Sequence, residues 1–264
     1  MKFSIVTVCR NAEKQIEATM RSVLNQEYSD YEYILVDGAS TDSTNAIIQR
    51  MKELFEKRGI SVVHQSEKDE GISDAFNKGV KLSKGEYVIL VNAGDRLTAN
   101  ALKTVAENAG GGEDVLYGNI LWQDKEKNIE YIRRSKEKPD TIVYEMSIMH
   151  PSAYIRKSAY EKYGYYKVDF RYSMDRDLLA RMYTEGASFK YIDATLSIME
   201  SGGVSDAIGK IPRKKEESKQ ISRENGVSAP RFYFIYYRAI VSNNLKQLIK
   251  GHFGKLYQYL KSKG

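Results

Sequence analysis

Polar residues follow four separate apolar stretches in the first hundred residues of the chain. Three of the four sets contain carboxylates, and crowded carboxylates need a cation or hydrogen-bond donors to stay charged together. A divalent metal ion is the simplest such cation, since Mg²⁺ and Mn²⁺ prefer oxygen ligands. Taken singly, each set is also an ordinary turn, because aspartate and glycine are common turn residues. The four sets are Cys9-Arg10-Asn11, Asp37-Gly38, Glu67-Lys68-Asp69-Glu70 and Asn92-Ala93-Gly94-Asp95.

Two further segments carry groups that can move protons. Asp175 and Asp177 stand in "YSMDRDLLARM", at the predicted start of a helix. Two acids at such a position either act chemically or stabilise the helix dipole. His150, in "IMHPS", is either a buried side chain with satisfied hydrogen bonds or a contact for an acceptor or a phosphate. The residues alone leave both choices open.

The apolar stretches predict the elements that position these groups. The segments "KFSIVTVC", "YEYILVD", "ISVVHQ" and "YVILVN" are typical of strands, and helical patterns lie between them. Asn11 is a candidate N-cap of the first helix, whose apolar face begins at Ile16. Strands joined by single helices run parallel, which predicts an α/β fold with a mainly parallel, doubly wound sheet and helices on both faces. Ligands bind such sheets beyond the carboxyl ends of the strands, where the four polar sets fall.

The pattern changes in the second half of the chain. The segments "DVLYGNILW" and "NIEYIRR" flank a polar turn and predict an antiparallel hairpin, and the helices that follow end at glycine. We therefore expect a first half with parallel strands, 1–112, and a mixed second half, 113–205, around one core. A helical, basic extension, 206–264, follows them.

The positive charge of the chain is concentrated in that extension. It carries 13 lysines and arginines against 4 aspartates and glutamates, whereas the rest carries 28 against 31. A basic amphipathic helix with aromatic residues either lies on an anionic membrane surface or packs on its own domain, and the sequence allows both. Nucleic-acid binding is not expected, because no recognised module accompanies the charge. The helical pattern is formed by Leu245, Leu248, Ile249, Phe253, Leu256 and Leu260.

The single cysteine and the lack of long apolar runs limit the cellular setting. Cys9 alone cannot form a disulfide framework or a cysteine-based metal site within one chain. The first residues lack the apolar core and cleavage site of a secretory signal, and no run of about 18 apolar residues occurs. We expect a cytoplasmic protein, peripheral on the inner face of the membrane if the extension binds there. The sequence indicates no oligomeric state.

Several segments, in order, resemble the motifs of the family 2 glycosyltransferases. They are "SIVTVCRN", "SVLNQEYSDYEYILVDGASTDST", "SEKDEGISDAFNKGVKLSKGEYVILVNAGD" and "DRDLLARM", within residues 1–205. The resemblance implies an inverting enzyme with the GT-A nucleotide-sugar-binding fold. The segments "DEGISDAFNKG" and "NAGD" are similar to the motifs of a bacterial branch of the family that is associated with surface polysaccharide synthesis.

The resemblance also implies roles for individual residues. Asp95 matches the last acid of the family's metal motif, so Mn²⁺ or Mg²⁺ is the expected cofactor, although Asn92 and Gly94 replace the other acids. Asp175 matches the usual catalytic base, and Met174 stands where relatives have glutamate. Asp177 is left as a structural residue. The nucleotide-sugar contacts are expected from Thr7, Arg10, Asn11, Asp37, Asp69, Asp74, Lys78 and Asn92, with His150 as a possible acceptor or phosphate contact.

The expected reaction moves a sugar from a nucleotide-diphosphate donor, UDP-linked, to a hydroxyl of a glycan or of a lipid-linked acceptor. Two other classes of protein stay open. A metal-dependent nucleotidyltransferase uses a similar sheet, but "CRNAEK" is a poor version of its glycine-rich basic loop. A silent nucleotide-sugar or glycan-binding protein is compatible with the reduced acidic motif. Release of UDP from a donor in the presence of Mn²⁺ distinguishes the transferase from a silent binding protein.

Overall fold

The computed structural model describes residues 2–202, 211–238 and 241. Strands and helices alternate strictly in the first half of the chain, as the hydrophobic pattern predicts. The elements of this half are β1 (Phe3–Cys9), α1 (Ile16–Leu24), β2 (Tyr31–Asp37), α2 (Thr44–Lys57), β3 (Val62–Ser66), α3 (Ile72–Leu82) and β4 (Tyr87–Leu90).

The second half mixes short strands, long strands and helices. Residues 229–238 form one more helix after α7. The elements before it are β5 (Arg96–Leu97), α4 (Ala101–Asn108), β6 (Val115–Asp124), β7 (Ile129–Arg133), β8 (Ala153–Arg156), α5 (Lys157–Tyr163), α6 (Met174–Thr184), β9 (Phe189–Glu200) and α7 (Ile211–Glu224).

The described strands join in one nine-stranded sheet with the order β3-β2-β1-β4-β8-β6-β9-β5, and β7 pairs with β6 at the side. The pairs β3–β2, β2–β1 and β1–β4 are parallel, which confirms the predicted parallel first half. Antiparallel pairs β4–β8, β6–β8, β5–β9 and β6–β7 make the second half mixed, and β6–β7 is the predicted hairpin. The four parallel strands therefore direct their carboxyl ends to one edge.

Helices cover both faces of the sheet because its central strands are apolar on both sides. Phe3 and Ile5 of β1 face a core formed with α1, α2 and α4, whereas Val6 and Val8 face a core formed with α3, α5 and α6. All seven residues of β1 and of β2 are buried. Continuous burial of this kind is what a strand within a parallel sheet requires.

The predicted cap of the first helix is wrong. Helix α1 begins at Ile16 with Gln15 before it, and no side chain caps it. Asn11 instead has a backbone φ of 49° and accepts a hydrogen bond from the N–H of Thr41 through Oδ1 at 2.9 Å. The left-handed conformation, which asparagine tolerates better than most residues, turns its side chain toward the loop after β2.

The described part of the basic extension packs on the same core as the sheet. Ile221 of α7, Val227 and Phe232 are buried in the core on the α3 side. Among the described residues, no helix combines the length and the apolar character that crossing a membrane requires. The amphipathic pattern over residues 245–261 lies outside the described residues.

Candidate active site

The loops after β1, β2 and β3 meet at the carboxyl edge of the sheet. The N–H of Gly38 donates to the carbonyl of Cys9, and the N–H of Glu67 donates to the carbonyl of Asp37, both at 2.9 Å. A Cβ at Gly38 would lie 2.3 Å from Oδ2 of Asp69 and 3.4 Å from Cβ of Arg10. A larger residue at position 38 would push the Asp69 side chain aside, so glycine lets the side chains of Arg10 and Asp69 lie close over this turn.

Asp37 is completely buried at the end of β2, and its carboxylate is held by several donors. Oδ2 accepts hydrogen bonds from Ser66 Oγ at 2.6 Å, from Asn45 Nδ2 at 3.0 Å and from the N–H of Ser40 at 3.0 Å. Burial by itself would raise the pKa of Asp37, but the bonds from Ser40, Ser66 and Asn45 outweigh it and lower the pKa. The carboxylate is therefore ionised, and its present partners fix the loops around it.

The side chains of Thr7 and Cys9 also point into the protein. Thr7 is fully buried, and its hydroxyl accepts a hydrogen bond from Tyr33 Oη at 2.9 Å. Burial, with Asp37 close by, raises the pKa of the Cys9 thiol to about 12, so this residue is not a nucleophile at neutral pH. The hydroxyl of Thr7 is not open to a ligand in this conformation, and the predicted contact is left to its backbone.

Asp74 and Lys78 lie on the outer side of α3. Lys78 Nζ pairs with Asp74 Oδ2 at 3.0 Å and Glu67 Oε1 at 2.8 Å, and it donates to the carbonyl of Lys68. Ile72 and Phe76 of the same helix line the cavity described next. Since residues two positions apart on a helix point in nearly opposite directions, Asp74 and Lys78 face away from that cavity. Their role in nucleotide binding remains a prediction.

A cavity of about 320 Å³ lies between the end of β4 and the start of α6. It brings together four residues singled out from the sequence, although they come from segments far apart in the chain. The donor-side residues at the ends of β1, β2 and β3 do not line it. The four predicted residues in its wall are Asn92, Asp95, His150 and Asp175.

Asp95 lines this cavity, and hydrogen bonds from Thr19 fix its backbone. The Thr19 hydroxyl donates to the carbonyl of Asp95 at 2.8 Å and accepts from the N–H of Gly94 at 3.0 Å. The side chain of Asp95 is only 8% exposed. Burial raises its pKa to about 7, and this effect exceeds the opposite influence of the Glu200 N–H, of Asn92 and of Arg96. Thr19, hidden in the apolar stripe of α1, was not found from the sequence.

The residues around Asp95 fit a divalent ion whose coordination is completed by a ligand. Asp95 and Asn92 both line the cavity, and the buried Oδ1 of Asn92 accepts no hydrogen bond from the described residues. Both are oxygen ligands of the kind that Mg²⁺ and Mn²⁺ take. Among the described residues, no group of three or more histidines, cysteines, aspartates or glutamates is placed to hold a metal. Diphosphate oxygens and water would have to supply the remaining ligands.

Asp175 is positioned by an acid from α7 that sequence analysis missed. Glu217 is 5% exposed, and its carboxylate accepts from the N–H groups of Arg171, Tyr172 and Ser173 at 2.9–3.0 Å. These three donors immediately precede α6, whose first turn contains Asp175. Charge-assisted bonds to three successive N–H groups fix the direction in which α6 begins. The extension thus takes part in building the site.

Asp177 and His150 are engaged in contacts of their own. Asp177 is completely buried and pairs with Lys167 at 2.9 Å and with Arg181 at 3.0 Å. His150 lies in the cavity wall with its Nε2 hydrogen-bonded to Tyr166 Oη at 2.9 Å. Burial lowers the pKa of His150 although Asp175 opposes this, so the imidazole is neutral at pH 7. A neutral ring is a poor phosphate ligand, whereas contact with an acceptor hydroxyl stays a prediction.

Arg176 is a second residue that the sequence did not reveal. It is 7% exposed and lines the cavity beside Asp175. Its Nη1 donates to the carbonyl of Tyr144 at 2.8 Å, but Nε and Nη2 have no hydrogen-bond partner among the described residues. A buried donor without a partner destabilises a folded protein by about 1–3 kcal/mol. No sequence signal marks such a residue, because its neighbours in space are not its neighbours in the chain.

A parallel half with converging strand ends, joined to a mixed half across a cavity that contains Asp95 and Asp175, is typical of an α/β protein of the GT-A type. Residues 4–167 match the family model described as Glycosyl transferase family 2. The chain belongs to this family of glycosyltransferases.

Individual relatives agree with that assignment. A "PGL/p-HBAD biosynthesis glycosyltransferase" of Mycobacterium bovis is 28% identical over 211 residues, which span 78% of this chain and 80% of the relative. A "GalNAc(5)-diNAcBac-PP-undecaprenol beta-1,3-glucosyltransferase" of Campylobacter jejuni is 29% identical over 143 residues, 53% of this chain and 45% of that one.

Solved structures share the fold at low sequence identity. The S. aureus TarS 1-349 structure in complex with UDP-GlcNAc has a TM-score of 0.68 and 20% identity, over 85% of this chain and 65% of that one. The mannosyltransferase PcManGT from Pyrobaculum calidifontis, in complex with GDP-Man and Mn²⁺, has a TM-score of 0.64 and 16% identity, over 89% of this chain and 68% of that one. In another TarS structure this chain spans only 37% of the TarS chain. These likenesses confirm the predicted GT-A-like fold.

Proposed function

We propose that this glycosyltransferase moves a sugar from a UDP-linked donor to a hydroxyl of a glycan or lipid-linked oligosaccharide, with inversion, in the synthesis of a surface polysaccharide. The observation that carries the proposal is a cavity that contains both Asp95, at a parallel strand end, and Asp175. The relative named for a diphosphate-undecaprenol-linked glycan and the neighbour bound to UDP-GlcNAc support the acceptor and donor classes.

The two acids of the cavity suit different tasks in such a transfer. Asp175 is partly exposed and takes the proton of the acceptor hydroxyl, which makes that oxygen a better nucleophile toward the anomeric carbon. The donor diphosphate lies at the strand-end side of the cavity, near Asp95 and Asn92. Asp95 and Asn92, together with the diphosphate, would hold a divalent ion, which would supply Lewis-acid stabilisation of the leaving group. Glu217 fixes the start of α6 beside Asp175, and Thr19 fixes the turn that carries Asp95.

A panel of nucleotide sugars tests the proposed function directly. We expect a UDP-sugar with Mn²⁺ to raise the melting temperature, because binding to the native state alone adds about 2.7 kcal/mol at a hundredfold excess over Kd. Mn²⁺ without nucleotide should have little effect, since the protein supplies few ligands. The measurement is a thermal-shift assay with UDP- and GDP-sugars, with and without Mn²⁺, followed by an assay of UDP release.

Three results of that panel argue against the proposal. A shift with GDP-sugars alone would mean that the donor carries GDP and not UDP. No shift with any nucleotide would contradict nucleotide-sugar transfer as a whole. Tight binding with no release of UDP, even with a range of glycan acceptors, would favour a silent binding protein.

We also propose that the C-terminal part of the chain attaches the enzyme to an anionic membrane surface. Three apolar side chains are exposed in this part of the chain: Phe234 by 68% and Tyr237 by 53%, both in the helix over residues 229–238, and Val241 by 65%. Arg231 and Arg238 are exposed beside them. Apolar groups flanked by arginines match the interfacial and charged layers of an anionic bilayer.

Vesicle flotation measures this attachment. The full chain should bind vesicles containing phosphatidylglycerol more tightly than phosphatidylcholine vesicles, and added salt should weaken the binding. Replacing Phe234, Tyr237 and Val241 together by serine should lower vesicle affinity about tenfold or more, because each apolar group inserted contributes up to about 1.5–3 kcal/mol. The matched control replaces Ile129 and Ile132, which are 46% and 50% exposed on β7, and should bind normally. Equal losses in both variants would contradict the proposal.

A further inference from the structure

The cavity has a cationic wall in addition to its two acids. Arg176 lines it with a side chain that is 7% exposed, and two buried donors of that side chain, Nε and Nη2, have no hydrogen-bond partner among the described residues. These two nitrogens lie on the same edge of the guanidinium group. Their N–H bonds are nearly parallel, which is the geometry that binds two oxygens of a phosphate at once.

The acids around Arg176 do not use these donors. Asp177 is bonded to Lys167 and Arg181, and Asp175 accepts from the N–H of Arg176 at 2.7 Å. The other two acids nearby have partners elsewhere as well. They are Glu145, paired with Lys136, and Glu217, which accepts three backbone N–H groups.

Three exposed cations line the same cavity. They are Arg133, Arg171 and Lys214, and within the described ranges none of their side chains forms an ion pair. With Arg176 they outnumber the acids in the wall, Asp95 and Asp175, by four to two. Burial lowers the pKa of Arg176 only to about 10, so it stays charged at neutral pH. The cavity therefore favours an anion.

We propose that Arg176, with Arg171 and Lys214, binds a phosphate or diphosphate group carried by the acceptor. This inference rests on the proposed function, in which the donor diphosphate lies at Asp95 and Asn92. Inversion places the base on the side of the anomeric carbon opposite the leaving group, and Arg176 directly follows the base, Asp175. Arg171, Asp175 and Arg176 come from the start of α6 and the residues just before it, and all three line the cavity, so we place these cations with the base on the acceptor's side. The substrate class is a hydroxyl acceptor with a phosphate close to the accepting oxygen.

Inorganic phosphate is the probe for this site. The full chain is titrated with sodium phosphate against sodium chloride at equal ionic strength, with and without saturating UDP and Mg²⁺, and the melting temperature is measured. We expect phosphate to raise the melting temperature of the wild type in both series, because UDP occupies a different position. Arg176→Met should abolish the response, and its own melting temperature without phosphate should be equal or higher, since a buried charge with unpartnered donors is removed.

Two control variants separate binding from folding. Arg181 lies on the same helix, and its donors are bonded to Asp177 and to the carbonyls of Tyr163 and Tyr165. Arg181→Met should lower the melting temperature yet keep the phosphate response. Lys214→Ala should weaken phosphate binding several-fold, whereas Lys103→Ala, an exposed lysine of α4 outside the cavity wall, should not change it.

Several outcomes would overturn the inference. If the wild type does not respond to phosphate, or if Arg176→Met responds as the wild type does, the proposed anion site does not exist. Loss of the response when UDP is added, together with weaker UDP binding by Arg176→Met, assigns Arg176 to the donor diphosphate instead. If phosphate binds at Arg176 but UDP does not bind at all, the proposed function fails and the acceptor assignment fails with it, while the anion site itself stands.

Discussion

Asp175→Asn is expected to lower kcat by about 10²–10⁴-fold, the usual contribution of a general base. The asparagine side chain has nearly the same shape and can still accept the hydrogen bond that Asp175 accepts from the N–H of Arg176. It cannot take the proton of an acceptor hydroxyl. Donor binding should be unchanged, because Asp175 belongs to α6 and not to the strand ends. The measurements are steady-state transfer with the donor found in the nucleotide-sugar panel, and the thermal shift produced by UDP.

The neighbouring acid provides a matched control for this substitution. Asp177 is fully buried and pairs with two cations, so Asp177→Asn leaves Arg181 without an anion, while Lys167 keeps Glu224, and should reduce the free energy of unfolding by about 3 kcal/mol. Asp175 is only partly buried, and its substitution should change stability by about 0.5 kcal/mol or less. If folded Asp175→Asn kept turnover within a few-fold of wild type, the base would have to be another group of the cavity.

The parts of the site that come from strand ends could be predicted because the sheet is parallel. An apolar strand of "YVILVN" type has few alternatives to burial between two helix layers, and parallel strands then bring their carboxyl ends together. The sequence therefore indicates that Arg10, Asp37, Asp69 and Asp95 lie at one edge. It does not indicate that Asp37 is enclosed by donors, or that a separate cavity contains Asp95 without Asp37.

The parts that sequence analysis missed depend on contacts between distant segments. Glu217 lies in "RKKEESK", a run of charges that is typical of a solvated helix face, yet its carboxylate is buried against residues 171–173. Thr19 reads as a minor interruption in the apolar face of α1, although its hydroxyl fixes the turn at Gly94 and Asp95. In both cases a polar side chain is satisfied by two or three backbone groups far along the chain, and hydrophobic periodicity carries no record of that pairing.

The motif "NAGD" contains a single acid, Asp95, so metal dependence is tested at that residue. Asp95→Asn should lower kcat/KM by about 10²–10³-fold, since a Lewis acid at the leaving group contributes several kcal/mol. Mn²⁺ should then no longer strengthen UDP binding. The control is Asp74→Asn, an acid on the outer side of α3 whose loss should leave the Mn²⁺ dependence intact. A variant at position 95 that is still activated by Mn²⁺ would place the ion elsewhere.

The raised pKa of Asp95 makes the same test sensitive to pH. A metal ion binds the carboxylate anion, so with a pKa of about 7 the apparent affinity for Mn²⁺ in the presence of UDP should fall about tenfold per pH unit below 7 and level off above it.

The stability of the free protein should change with pH in the opposite direction. The native state holds a proton on Asp95 that the unfolded chain releases near pH 4, so this group favours folding at low pH, and that stability is lost as the pH rises through about 7. Both trends should be absent in Asp95→Asn, measured by calorimetric titration of Mn²⁺ and UDP and by thermal unfolding between pH 5 and 8. An affinity that does not change with pH in the wild type would mean that Asp95 is already ionised and that burial does not govern this carboxyl group.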